Sequence, residues 1–124
     1  MPSKVRIERF EITEKPWGRE ILIARNDHYA FKRIQMVQGT RSSFQYHRRK
    51  LESLFIVSGR IELVTEFPDG QRVTERYGPG EGYTVPPGVK HRVTVLEQCD
   101  LFEVSTPQLE DVVRVADDYG REQS

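Results

Sequence analysis

Gly39-Thr40-Arg41-Ser42-Ser43-Phe44-Gln45-Tyr46-His47-Arg48-Arg49-Lys50-Leu51-Glu52 leads into the apolar run Leu54 to Val57 and closes on Ser58-Gly59. In an extended chain, side chains two apart share a face, so Arg41, Ser43, Gln45 and His47 project one way and Phe44 and Tyr46 the other. A polar row facing inward needs a purpose. Glu52 opens the next strand after the Arg48-Arg49-Lys50 loop and can turn back toward His47, while His91 follows the rigid turn Pro86-Pro87-Gly88. Gln45, His47, Glu52 and His91 are therefore four candidate ligands. Two imidazoles, a carboxylate and an amide oxygen suit a borderline divalent metal ion, zinc foremost, with Mn, Fe, Ni or Co as alternatives and positions left for water or substrate. On spacing alone, the competing reading is a pair of ordinary half-buried histidines and a sheet-surface amide.

Outward from this stretch the same alternation recurs. Lys4 to Ile12 reads as a half-buried strand with a slip of one, and short β-branched or aromatic runs follow at Arg19 to Ala24, Tyr29 to Val37 and Arg60 to Phe67. Gln71 to Tyr77, Tyr83 to Val85, His91 to Leu96 and Leu101 to Ser105 continue the pattern. Pro68-Asp69-Gly70 is the clearest hairpin turn, and the Pro/Gly-rich stretches at 78–82 and 86–88 exclude helix and central strand. About ten short strands in one small domain predict an all-β sandwich or barrel. Only the tail, Gln108 to Tyr119, reads as a solvated segment with room for a helical turn.

Composition sets the bounds. The 124 residues are 36% hydrophobic and 31% charged, one domain's worth of chain over 1–124. A domain of that size buries roughly two thirds of its unfolded surface, so it needs no structural metal and any metal is free to be functional. Lys plus Arg and Asp plus Glu each total 19, for a formal charge of zero, which argues against nucleic acid as a partner. No apolar run is long enough for a signal peptide or a membrane span. A single cysteine, Cys99, makes no intrachain disulfide, which fits a reducing cytoplasm.

Gly39-x5-Gln45-x-His47-x4-Glu52-x6-Gly59 resembles the first cupin motif, G-x5-H-x-H-x3,4-E-x6-G, with Gln in place of the first His. Gly80-x5-Pro86-x-Gly88-x2-His91 resembles the second, G-x5-P-x-G-x2-H-x3-N, with Val95 in place of the final Asn. The resemblance implies a cupin double-stranded β-helix, or jelly-roll, barrel. Within cupins, Lys15-Pro16-Trp17-Gly18, Phe31-Lys32-Arg33-Ile34, Ser43 to His47, Pro87 to Arg92 and Asp117-Asp118-Tyr119-Gly120-Arg121 look like the C-terminal domain of type II mannose-6-phosphate isomerases. In phosphomannose isomerases a Gln, His, Glu, His set holds zinc, which implies that Gln45, His47, Glu52 and His91 form such a set here. Two features depart from that group: the nucleotidyltransferase domain of those bifunctional enzymes is not in this sequence, and their Ala-Glu-His-Trp stretch reads Arg48 to Leu54.

The expected function is a metal-dependent aldose–ketose isomerase acting on a sugar or sugar phosphate in carbohydrate or polysaccharide metabolism. Such chemistry needs a base to move a proton between adjacent carbons and a cation to stabilise the developing oxyanion. Lys32 and Glu103 are the candidate proton-moving groups, with a buried Lys–Glu pair or outward-facing side chains as the alternative. Arg41, in phase with Gln45 and His47, is expected to enter the cavity, where with Lys15 and Arg92 it would hold the anion. Arg48-Arg49-Lys50 either steers an anionic substrate or is a solvated turn. Trp17 is read as a core aromatic capping the barrel, with a lid over the cavity as the alternative, and His28 as an exposed turn residue. A non-catalytic metal-containing sugar- or metabolite-binding cupin is the alternative function, as is a cupin oxygenase or epimerase. The strand at 4–12 is expected to pair with a second chain in a homodimer, and the tail at 106–124 to pack outside the barrel.

Overall fold

The computed structural model describes residues 5–121 and is all-β, with nine strands among the described residues. They are β1 (Glu11–Lys15), β2 (Gly18–Arg25), β3 (Ala30–Met36), β4 (Phe44–Tyr46), β5 (Glu52–Glu66), β6 (Arg72–Tyr77), β7 (Gly82–Val85), β8 (Lys90–Ser105) and β9 (Val113–Ala116). Every pairing is antiparallel. No helix among the described residues is long and apolar enough to cross a membrane.

Two long strands organise the molecule. The N-terminal half of β5 and the C-terminal half of β8 pair with each other, and this pair is flanked by β7 on one side and by β3, β2 and β1 on the other. Their other halves pair again, flanked by β6 and by β4 and β9. One pair of strands thus crosses between two sheets, the jelly-roll solution to burying two apolar faces against each other. The crossing lies where the β5–β8 register shifts between Ile56 and Ile61. Gly59 sits there at φ 87°, and a Cβ on it would lie 2.2 Å from the Gln98 carbonyl oxygen, so the fold accepts only glycine at this bend.

Alternation places Ile34 and Met36 of β3, Leu54, Ile56, Ile61 and Leu63 of β5, and Val93, Val95 and Leu101 of β8 in one core between the sheets. Trp17, in the β1–β2 turn, is buried in the same cluster, as expected of a core aromatic. Cys99 is buried there too, and burial pushes its thiol up to about 11, which makes it a packing residue.

Two of the expected elements differ. Residues 5–10 lie outside any strand and the ladder begins only at Glu11, so Val5, Ile7 and Phe10 are exposed and not half-buried; Lys4 lies outside the described residues. In the tail, the helical turn expected within Gln108 to Tyr119 is replaced by β9, which joins the sheet edge beside β4. Its Val-Arg-Val-Ala sequence is β-branched at alternate positions and suits a strand better than a helix.

Candidate metal centre

His47 ends the row that β4 begins, Glu52 is the first residue of β5, and His91 is the second of β8. All three are buried, and one ligand atom from each lies within 4.8 Å of the others. The Nδ1 of His47 donates to the main-chain carbonyl of Asp111 at 2.6 Å, and the Nδ1 of His91 to that of Val89 at 3.0 Å. A carbonyl only accepts, so both rings carry their proton on Nδ1 and turn the Nε2 lone pair inward. His47 Nε2 then faces Glu52 Oε1 at 3.0 Å, and His91 Nε2 lies 3.8 Å from Oε2.

That arrangement tests the metal reading. His47 Nε2 is buried with no hydrogen-bond partner, so two electron-rich atoms face each other out of contact with water. Such a contact is relieved either by a second proton on the ring, which makes His47 an imidazolium paired with Glu52, or by a metal cation held between the two atoms. Burial lowers the pKa of His91, despite the opposing pull of Glu52, and so favours the neutral imidazole that a metal needs. Burial pushes the Glu52 carboxyl up, but the Lys50 ammonium and a hydrogen bond from His47, made when its Nε2 carries a proton, outweigh it and hold the group at about 2, ionised. The donor set fits a divalent ion, with His47, Glu52 and His91 to hold it.

Gln45 lines the same cavity and is the register partner of His91, so all four residues singled out in the sequence meet in one place. Its Oε1 accepts a hydrogen bond from Ser43. The cavity, about 140 Å³, opens between the two sheets. Lys32 and Glu103, opposite one another on β3 and β8, are both buried in its wall. Lys32 Nζ is 2.9 Å from Glu20 Oε1. Burial and the nearby Glu52 charge raise the Glu103 pKa, with Lys50 and Lys32 pulling it down only in part. Lys15 also lines the cavity.

Arg41 and Arg92 do not enter it. Gln45 pairs with His91 and Arg41 with Thr94, so four residues on one strand span three on the other, and the slip turns Arg41 to the outer surface. There it is exposed and donates to Asp118, with Nη2 at 2.8 Å from Oδ1. Arg92 alternates with the inward His91 and Val93; its Nε donates to the Ser42 carbonyl at 2.9 Å and its Nη2 to that of Ala116 at 3.2 Å. Both arginines anchor the tail. His28 is exposed, as its turn implied.

Lys50 is the residue the sequence reading missed. Arg48 and Arg49 are exposed, but Lys50 is only 6% exposed, with Nζ 3.2 Å from Glu52 Oε1 and 3.3 Å from Glu103 Oε2. Burial pulls its pKa down and the two carboxylates raise it further, so it stays an ammonium. Its signal was present: Lys50, Glu52 and Leu54 alternate, and a residue in phase with a ligand shares the ligand's face. Arg114 and Arg121, from the tail, complete the cationic wall.

The fold and site define a small antiparallel jelly roll with a buried His-Glu-His pocket of divalent-metal type. The chain belongs to the cupins: residues 32–104 match the Cupin domain family. It is 34% identical over 115 residues to a mannose-1-phosphate guanylyltransferase of Escherichia coli (strain K12), covering 86% of this chain and 22% of the relative. The xanthan biosynthesis protein XanB of Xanthomonas campestris pv. campestris (strain B100) is 31% identical over 112 residues, covering 86% and 23%. The chain thus spans less than a quarter of the length of these relatives. Among solved structures, a Bacillus subtilis oxalate decarboxylase superposes with TM-score 0.81 at 12% identity over 93% of this chain and 34% of that one. KdgF from Halomonas sp. superposes with TM-score 0.69 at 18% identity over 81% and 90%. Both likenesses are of fold.

Proposed function

We propose that this chain is a metal-dependent aldose–ketose isomerase acting on a sugar or sugar phosphate. The observation that carries the reading is a buried, protonatable carboxylate, Glu103, in the same cavity wall as the His47-Glu52-His91 triad. A metal ion held by His47, Glu52 and His91, with Gln45 as a fourth ligand, would supply electrostatic stabilisation of negative charge developing on the sugar oxygens. Glu103 takes the proton from the carbon next to the carbonyl and returns it to the neighbouring carbon. Lys50, bridging Glu52 and Glu103, tracks that proton: as Glu103 becomes neutral, the ammonium turns wholly to Glu52. Lys32, opposite Glu103 in the β3–β8 register, is bonded to Glu20 and adds positive charge near the Glu103 carboxyl. The names of the sequence relatives, which concern mannose 1-phosphate and xanthan biosynthesis, support a sugar substrate.

One observation favours the second reading, a metal-containing module that binds a sugar without turning it over. Lys32 is paired with Glu20, and Lys50 with both Glu52 and Glu103, so each carboxylate of the wall is already held by an ammonium group, which is also how a rigid binding pocket is built. Hydrogen exchange into bound sugar separates the two. The exposed Val5, Ile7 and Phe10 ahead of β1 support a homodimer, in which this segment packs on a second copy.

A further inference from the structure

We propose that Arg114 on β9 is the anchor of an anion subsite, shaped for the phosphoryl group of a small phosphorylated metabolite and served by Lys15 of the same cavity wall. A sugar as the rest of that metabolite rests on the isomerase reading; the phosphoryl group does not.

The register places Arg114. Phe44 pairs with Ala116 but Gln45 pairs with Arg114, so Val115 is bulged out of the ladder and is 45% exposed. Without the bulge, Val115 would oppose Gln45 and Arg114 would face solvent. With it, Arg114, Gln45 and His91 form one rung across β9, β4 and β8, and residues on one rung share a face. Two strand spacings set the Arg114 backbone about 10 Å from that of His91. A ligand of a few carbons can therefore reach the metal-type triad with one end and the guanidinium with the other.

Arg114 has nothing else to do there. Its Nε is buried with no hydrogen-bond partner, and the guanidinium enters no ion pair among the described residues. Of the charged groups near it, Arg121 and Asp117 are committed to each other through bonds of 2.8 and 3.0 Å, and Glu20 to Lys32 at 2.9 Å. Lys15 also lines the cavity and has no ion-pair partner among the described residues. The wall carries five cationic side chains, Lys15, Lys32, Lys50, Arg114 and Arg121, against the three carboxylates Glu20, Glu52 and Glu103. Those carboxylates are taken up by Lys32 and Lys50, so the unspent charge is positive and sits on Arg114 and Lys15. A permanently charged planar fork with an orphaned donor is matched by a bidentate oxyanion, and phosphate fits better than a neutral hydroxyl.

The test is a titration of the full chain with inorganic phosphate, followed by 31P NMR, for the native protein, R114Q and the exposed β5 control R60Q. Phosphate affinity at least tenfold weaker in R114Q and unchanged in R60Q supports the subsite. Equal affinity in R114Q and the native chain, or no phosphate binding by the native chain at millimolar concentration, overturns it. Should R114Q fail to fold, the Arg114 Nε–H resonance of the native chain decides: a shift on adding phosphate supports the subsite and its absence overturns it. Phosphate bound through Arg114 without substrate hydrogen exchange would sink the isomerase and leave this subsite standing. Exchange on sugar phosphates with phosphate binding indifferent to Arg114 would do the reverse.

Discussion

The His47 ring and the Asp111 main chain are joined by a 2.6 Å hydrogen bond across 64 residues of sequence, Nδ1–H to carbonyl oxygen. The Asp111 carboxylate meanwhile accepts from the backbone N–H groups of Arg48, Arg49 and Lys50. One tail residue therefore sets the tautomer of a candidate ligand and fixes the loop that carries Lys50 to Glu52.

Replacing Asp111 by Ala strips three donors of their acceptor while leaving the carbonyl in place. The expected cost is about 1–3 kcal/mol of stability, with roughly tenfold weaker zinc binding as the loop loosens. Burial pushes the Asp111 pKa up, and the three N–H groups more than reverse it, so the folded value lies below the unfolded one. The sign follows: its contribution is complete above the unfolded pKa of about 3.9 and is lost as pH falls through the folded value. Urea unfolding at a series of pH values should show native stability falling steeply below about pH 4, and D111A falling less steeply because part of that dependence is gone.

His91→Ala removes a candidate ligand without touching the core between the sheets. Zinc titration followed by calorimetry should show saturable stabilisation of the native chain, as expected for an ion that binds only the folded state. H91A should retain its β-sheet circular dichroism and lose most of the bound metal. Full metal retention in H91A would refute the ligand set.

Lys50 is the buried cation between two buried carboxylates, so K50M leaves Glu52 and Glu103 without it. The expected loss is about 3–5 kcal/mol, most of it from stranded charge. Adding Glu103→Gln to K50M should restore part of that stability, measured by chemical denaturation. A double variant no more stable than K50M would show that Lys50 does not act through Glu103.

Val5, Ile7 and Phe10 are exposed in the single chain, which a homodimer would bury. Sedimentation at micromolar concentration should give a dimer, and F10D should shift it toward monomer. A monomeric native chain ends the dimer reading.

What the sequence made legible follows from how each residue is held. Gln45, His47, Glu52 and His91 could be read because strand alternation and rigid turns act locally, and they do converge. Arg41 could not, because a one-residue slip against β8 reverses its face, and alternation carries no record of a slip in a partner strand. Arg92 was legible in principle, since a neighbour of an inward histidine must face outward. Lys50 was obscured by its two exposed neighbours, which make a solvated turn the natural reading of three consecutive cations. The tail gave its charged pairs but not its pairing: β9 exists because β4 offers it an edge, and the bulge at Val115 that aims Arg114 is a property of that ladder.

The central claim is proton abstraction beside a metal site. Its most direct test is proton NMR of the zinc- or manganese-loaded chain in D₂O with hexose and pentose phosphates and their free sugars. Deuterium entering the carbon next to the carbonyl, abolished by chelation and by Glu103→Gln, is the predicted result. A filled metal site with no exchange into any of these sugars would contradict it.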